Sequence, residues 1–391
     1  MCKIKHIGIA GPVSLPALRA IMTGCASDMP HGMGGVPVNH LIMALFRRGY
    51  NVSVYSSSPE IPVGESFEHH QDRLSIYMGP HRAARAKEVV KDFYKVERDY
   101  ITGAIKKSKP DIVHAHWQYE WAWGALSANV PTLVTCHDSP LKVFFAQRDM
   151  FRLFRLIVAV IVMRKAKYFT SVSPYCAQSL KKITKKKIAI VPNFEPDSVF
   201  DLYKKQRTIN ANLAIAMINN GFTRLKNATA GILAFSLFRK KYPASELHLY
   251  GIGYGQREEA QQWCSKKNVC TDGIFFHGHT PNDVLMTELN KKDVLLHTSK
   301  EESFGIAPVE AMALGIPVIA GKNSGGVQWI LGEGGGELVN IVNINEIVAG
   351  LETVCQNYEQ KSQQAREISI RRFSEEVVVN QYIKEYERIL K

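Results

Sequence analysis

At 391 residues the chain exceeds what one hydrophobic core usually serves, so two domains are expected. With 46% apolar and 22% charged residues it has an ordinary globular composition, and its longest aliphatic run, LIVAVIVM at 156–163, falls far short of the ~20 residues of a membrane span. The net charge of +13 is lopsided: residues 1–194 carry 27 lysines and arginines against 13 aspartates and glutamates, and the rest carry 22 against 23.

The N-terminus, MCKIKHIGIAG, runs from a basic start straight into a strand-like stretch without a small-residue cleavage site, so no signal peptide is expected. Strand-like runs then alternate with helical patterns from end to end, which predicts parallel sheets covered on both faces. In the first half the strands fall at 4–10, 50–56, 111–116, 132–138, 168–173 and 188–193. Between the first two, Gly34 and Gly35 open a helix that stops at Gly49. The polar stretch FEPDSVFDLYKKQRTINAN loses the pattern, and a linker is placed at 195–212. A second series follows at 213–219, 246–253, 274–279, 294–299, 316–321 and 336–340. The chain thus reads as two doubly wound α/β domains, 1–194 and 213–372, with a helical segment at 373–391. In such sheets ligands bind beyond the carboxyl ends of the strands, so a cleft between two facing domains is the expected site.

The seven cysteines, at 2, 25, 136, 176, 264, 270 and 355, are scattered without a C-x-x-C pair, which argues against a disulfide framework and a zinc site. A reducing cytoplasm is the expected location. Basic clusters at 82–87, 106–109, 148–167 and 181–187 fit either solvated lysine faces or a surface for an anionic partner. Aromatic residues do not interleave with them in a nucleic-acid-binding pattern, and no helix-turn-helix or RNP-like motif occurs, so nucleic acid is set aside. The segment DMFRLFRLIVAVIVMRKAKYF joins an apolar middle to Arg152, Arg155, Arg164, Lys165 and Lys167. That composition suits a helix lying on a lipid surface and equally a buried helix with basic ends.

The most informative stretch is EESFGIAPVEAMALGIPVIA, 301–320, in which Glu302 and Glu310 flank an apolar run. On one continuous helix, residues eight apart lie about 12 Å apart along the axis, too far to act together. Pro308 suits a first helical turn and Gly315 a position just past the end, which predicts a helix from about 307 to 314 with Glu310 in its first turn. Glu302 then lies in the preceding loop, where Gly305 permits a sharp turn. Free N–H groups of Phe304, Gly305 and Ile306 would present a positive dipole end suited to phosphate or sugar hydroxyls, and the carboxylates accept hydrogen bonds from diols. The spacing alone also fits a dipole-complementing Glu310 and a solvated Glu302.

ESFGIAPVEAMALGIPVIA closely resembles the E-x7-E motif of the retaining glycosyltransferases of family 4, which have the two-domain GT-B fold. The pair of glycines after the first strand, DIVHAHW, the strand ending in TCHD, SVS, IVPN and NSGGVQWIL occur in family order over nearly the whole chain. FSEEVVVNQYIKEYERILK is similar to the family's closing helix, which crosses back onto the N-terminal domain. The resemblance implies that Glu310 holds the ribose of the nucleotide and Glu302 the donor sugar, with Ser303 and the amides of Phe304, Gly305 and Ile306 at the sugar or its phosphate. It implies that His116 contacts a donor-sugar hydroxyl, that His137 lies on the acceptor side, and that Gly34 and Gly35 let the N-terminal loop approach closely. Without it, both histidines read as core residues. Gly278 and His279 match the segment that meets the base, and Lys226 matches the lysine that neutralises the diphosphate.

Many relatives carry an arginine five residues before that lysine; here the position is Gly221, and Arg224 is the nearest substitute. No D-x-D pair occurs, so no metal is expected, and the implied cofactor set is empty apart from the substrate, a UDP- or GDP-sugar. The implied activity is metal-independent hexosyl transfer with retention, to a saccharide acceptor that is lipid-linked. The setting would be cell-surface polysaccharide or lipopolysaccharide assembly, on the cytoplasmic side with peripheral contact to anionic membrane. Three other classes fit parts of the pattern: a hydrolase using the two glutamates, a nucleotide-sugar epimerase of the same fold, and an inactive nucleotide-sugar-binding protein.

Overall fold

In the computed structural model, residues 4–24, 29–82, 86–203, 209 and 212–391 are described. Part of the expected linker (204–208 and 210–211), part of the first basic cluster (83–85), Cys2 and Cys25 lie outside the described residues. The chain divides into two compact units, one made of Met1–Asn193 with Val378–Lys391 and one of Phe194–Val377.

The first unit holds β1 (His6–Ala10), β2 (Asn51–Ser58), β3 (Phe67–Gln71), β4 (Leu74–Pro80), β5 (Ile112–His116), β6 (Thr132–Cys136), β7 (Tyr168–Ser171) and β8 (Ile188–Ile190). They form one sheet in the order β3-β4-β2-β1-β5-β6-β7-β8, parallel except for β3 against β4. The sequence pattern predicts six of these strands and misses the β3–β4 hairpin. FEHHQ sits at the sheet edge and is buried nowhere along its length, so hydrophobic alternation does not mark it.

Apolar helices close the sheet. Met150–Lys165 buries Phe154, Val158, Ala159, Val162 and Met163 on one side, while Met150 and Ile157 are exposed. Asp149 caps its start by accepting from the Arg152 amide at 2.7 Å, and Lys186 Nζ donates to the carbonyls of Met163, Arg164 and Ala166 at its end. Two members of the basic clusters do not belong to a solvated face. Arg155 lies over the Tyr119 ring at 3.7 Å, and Arg82 is buried against Asp92 and Glu97 at 2.8 and 2.6 Å. The chain's last helix, Glu375–Leu390, buries Val378, Val379, Tyr382 and Tyr386, and the Tyr386 hydroxyl meets His114 Nδ1 at 2.7 Å.

The second unit holds β9 (Ala214–Ile218), β10 (Glu246–Tyr250), β11 (Ile274–Gly278), β12 (Val294–His297), β13 (Val318–Gly321) and β14 (Gly336–Val339), in the order β11-β10-β9-β12-β13-β14 and all parallel. The helix Ala228–Lys241 presents Ile232, Phe235 and Phe238 to the core of this sheet, each fully buried. Truncating either phenylalanine to alanine would cost about 3–5 kcal/mol in transfer and cavity energy. The segment read as a featureless linker is partly structured: Asp197–Asp201 is a short helix that buries Val199 and Phe200, and Glu195 bridges to Ser374.

Each sheet has one point where the strand order reverses, between β1 and β5 in the first unit and between β9 and β12 in the second. Loops leaving the carboxyl ends of strands at such a point diverge and leave a crevice suited to ligands. Lys226 and Glu302 fall there in the second unit and His116 in the first, whereas His137 follows β6 and Gly278 and His279 lie at the end of β11. Among the described residues, no helix is long and apolar enough to cross a membrane.

Candidate active site

In the second unit Lys226 lies in the loop after β9 and Glu302 in the loop after β12. Lys226 Nζ donates to Glu302 Oε1 at 2.7 Å. Backbone bonds lace the two loops together: the Lys300 amide donates to the Leu225 carbonyl at 2.9 Å, and the Thr298 hydroxyl donates to the Lys226 carbonyl at 2.9 Å. The Gly326 amide holds the Glu302 carbonyl at 2.8 Å. His297, the last residue of β12, is buried, and its Nε2 stands 3.5 Å from the same Oε1, an ion-pair distance outside hydrogen-bond geometry. Burial alone would raise the Glu302 carboxyl, but His297 and Lys226 outweigh it and hold the group down at about 2.

The helix expected to follow is present as Ile306–Ala313, one residue earlier than predicted, so Glu310 falls in its second turn rather than its first. Gly305 caps it at φ 115°, and a Cβ there would stand 2.9 Å from Val327 Cγ2, so both backbone and space select glycine. Ser303 is half-buried beside it. The Phe304 ring is buried edge-on against Phe373 with centroids 5.9 Å apart, which leaves its backbone as the part a ligand could meet. Glu310 is buried, 3.5 Å from Asn282 Nδ2, and burial pushes its carboxyl up to about 7. Glu195, also buried, is pushed well above the carboxylate range by burial and by the charge of Glu310.

Gly278 ends β11, where its carbonyl accepts from the Gly251 amide at 2.7 Å, and the neighbouring Ile252 carbonyl accepts from Gly221 at 2.9 Å. His279 and Arg224 are exposed. Gly278 and His279 thus sit two strands from β9, joined to the β9 loop through backbone and not by side chains to the Lys226–Glu302 pair.

In the first unit the structure brings His116 and His137 together. His116 ends β5, His137 follows β6, and His116 Nδ1 lies 2.9 Å from His137 Nε2. The Trp117 indole stacks on the His137 ring at 4.1 Å. Burial, with the neighbouring histidines, lowers His116 far below the usual imidazole range, and burial lowers His137 to about 3, so both are neutral. His116 Nε2 is buried with no hydrogen-bond partner among the described residues. Gly35 caps the helix Val36–Arg47, where a Cβ would strike the Pro12 carbonyl, and a Cβ on Gly11 would press on His116 Cβ at 3.1 Å, so the segment after β1 lies against both the glycine loop and the histidine; a Cβ on Gly34 would meet open space.

Three groups escaped the sequence reading. His297 closes an apolar strand as His116 does, but the resemblance marked only His116. Glu195 lay hidden in the segment read as linker. Gln118 and Tyr119 both donate to Asp138 Oδ1, at 2.6 and 3.0 Å, a pairing across about twenty residues that no local pattern announces. Among the described residues, no cluster of histidine, cysteine, aspartate or glutamate could hold a metal ion.

Two doubly wound units, each with polar residues beyond the carboxyl ends of its strands, are the architecture of the GT-B glycosyltransferases. Residues 34–194 match Glycosyltransferase Family 4 and residues 199–372 match Glycosyl transferases group 1, and the chain belongs to this family. Sucrose-phosphate synthase from Thermosynechococcus elongatus superposes with a TM-score of 0.75 at 19% identity, covering 98% of this chain and 99% of that one. The Anabaena protein HepE, solved in complex with UDP-glucose, gives a TM-score of 0.66 at 16% identity over 99% of this chain and 100% of that one. At such identities the likeness establishes the fold. In sequence, the chain is 24% identical to the N-acetyl-alpha-D-glucosaminyl L-malate synthase of Bacillus anthracis over 72% of its own length and 75% of that protein. The chain spans between 22% and 43% of the length of the first curated relatives it matches.

Proposed function

We propose that this glycosyltransferase moves a hexose from a nucleotide-sugar donor to a saccharide acceptor with retention and without a metal. The observation that carries the reading is the Lys226–Glu302 pair at the switch point of the second unit, beside the Gly305-capped helix that bears Glu310. HepE, of the same fold, binds UDP-glucose, which supports a nucleotide-sugar donor in this unit.

In this reading Glu310 accepts the ribose hydroxyls, Lys226 neutralises the departing diphosphate, and the amides of Phe304, Gly305 and Ile306 meet the sugar or its phosphate. Gly278 and His279 meet the base. Glu302 orients the donor sugar through its hydroxyls. As the family resemblance implies, the departing phosphate oxygen takes the acceptor proton, and Glu302 acts by position and charge. Glu302→Ala therefore removes positioning and electrostatics without exposing a glycosyl-enzyme intermediate. The neutral His116 and His137 suit uncharged hydroxyl groups, with His116 toward the donor sugar and His137, Gly34 and Gly35 toward the acceptor.

The same reading places the acceptor on a lipid at the inner face of the membrane. It draws on the basic excess of residues 1–194 and on the exposed Phe145, Met150 and Ile157 near Arg148 and Arg152. The test of the whole proposal is thermal stabilisation of the protein by a panel of UDP-, GDP- and ADP-sugars and their free nucleotides, with Glu310→Ala alongside. A shift with one nucleotide series that vanishes in the variant is the expected result; no shift with any of them would overturn it.

A further inference from the structure

The Lys226–Glu302 pair poses a difficulty for the proposed function, on which the following inference rests. A lysine drawn onto a diphosphate shares its charge between phosphate and carboxylate, and Glu302, only one-fifth exposed, loses part of what offsets its burial. The structure holds a second nitrogen beside the same oxygen. His297 Nε2 lies 3.5 Å from Glu302 Oε1, where Lys226 Nζ already sits at 2.7 Å, and both of its ring nitrogens are buried without a hydrogen-bond partner among the described residues. A buried imidazole with two unpaired nitrogens is costly unless a partner arrives. Because His297 ends β12, its backbone is fixed by the sheet, whereas Lys226 lies on a loop at the end of a flexible side chain.

We propose that His297 is the positioning residue that takes over Glu302 when the donor diphosphate draws Lys226 away. Lys226 Nζ moves from Oε1 to a diphosphate oxygen, and the His297 Nε2–H then donates to Oε1. The carboxylate keeps its orientation toward the sugar, and no covalent bond changes. The histidine thus keeps the sugar-orienting carboxylate from swinging out when the lysine leaves.

The test reads the imidazole nitrogens of His297 by 15N NMR, assigned by their loss in His297→Gln. In Lys226→Met, without ligand, the Nε2 signal is expected to shift to that of a proton-bearing nitrogen donating to a carboxylate. In the wild-type protein, saturation with the nucleoside diphosphate that binds should shift the same signal in the same direction. A His297 signal unmoved by Lys226→Met overturns the inference, whatever the ligand does. A signal that moves in Lys226→Met but ignores bound nucleoside diphosphate overturns the handover and, separately, the diphosphate role of Lys226. Restoring Lys226 with arginine, which reaches Glu302 by the same route, should return the signal to its wild-type position.

Discussion

Two histidines close the strands at the two switch points, His116 on β5 and His297 on β12, and their surroundings are opposite in kind. His116 sits among His114, His137 and Trp117, all aromatic and uncharged, with burial keeping it neutral. His297 sits beside Glu302, which Lys226 holds ionised. Equivalent positions in the same topology have been furnished for different ligand chemistry, since neutral donors and acceptors recognise hydroxyl groups and a lysine–carboxylate pair responds to a phosphate. The fold supplies the place, and the residues after the strand decide what the place can hold.

The largest effect expected from this contrast is in the charged cluster. Lys226→Ala should lower turnover by roughly 10²–10³-fold, the usual loss when one preorganised electrostatic group is removed. The same substitution leaves Glu302 partly buried without its closest cation. A substitution in the neutral pair, His137→Asn, should cost less in turnover and more evenly across donors. Steady-state kinetics on both variants with the nucleotide sugar identified by the panel checks the ranking. A larger loss from His137→Asn would reverse the assignment of the two regions.

The next effect is on stability, and its sign differs between the regions. Glu310 is raised from 4.5 to about 7 by burial, so its contribution is fully present below 4.5 and is lost as pH rises through about 7. His137 is lowered from 6.5 to about 3, so its contribution is present above 6.5 and is lost as pH falls toward 3. Glu120 and Asp138 in the first unit are raised by burial and slope the other way, so each effect is read as the gap between wild type and one variant. The Glu310→Gln protein should gain on the wild type as pH rises from about 5 to about 8. His137→Asn should be less stable near neutrality by about 1–3 kcal/mol, the cost of unpairing His116 Nδ1, with the gap narrowing on acidification. Thermal melts across that range check both, and parallel slopes would mean the two sites share one electrostatic character.

How far these regions could be read from sequence follows from their physics. All six strands of the second sheet are apolar runs each followed by a helix, and period and length suffice to mark them. The edge strand β3 carries no core face and leaves no such mark. The helix after Glu302 was legible from Pro308 and Gly315, because both fix backbone geometry locally, yet its start at Ile306 depends on the Gly305 turn packing against Val327. That Lys226 meets Glu302, 76 positions further on, was not legible in the sequence; family order implied a role for each and not their contact. Arg82 and Arg155 read as surface charge because their acidic and aromatic partners lie on other elements.

The smallest predicted effect concerns the position where many family members have arginine. Gly221 adopts φ 86° and donates its amide to the Ile252 carbonyl at 2.9 Å, in a turn where any L side chain is strained. The departure is therefore built into the backbone of the β9 loop, and restoring the arginine would disturb that turn before it could help a diphosphate. Arg224 is exposed in the same loop, and an exposed cation without fixed geometry contributes little to binding. Arg224→Ala should change donor affinity only a few-fold, about 1 kcal/mol or less, and should weaken with salt. Titration of the donor nucleotide into Arg224→Ala and Lys226→Ala at low and high ionic strength measures both. Equal losses in the two variants would make Lys226 and Arg224 a paired clamp, and the second region would then hold the diphosphate with two cations.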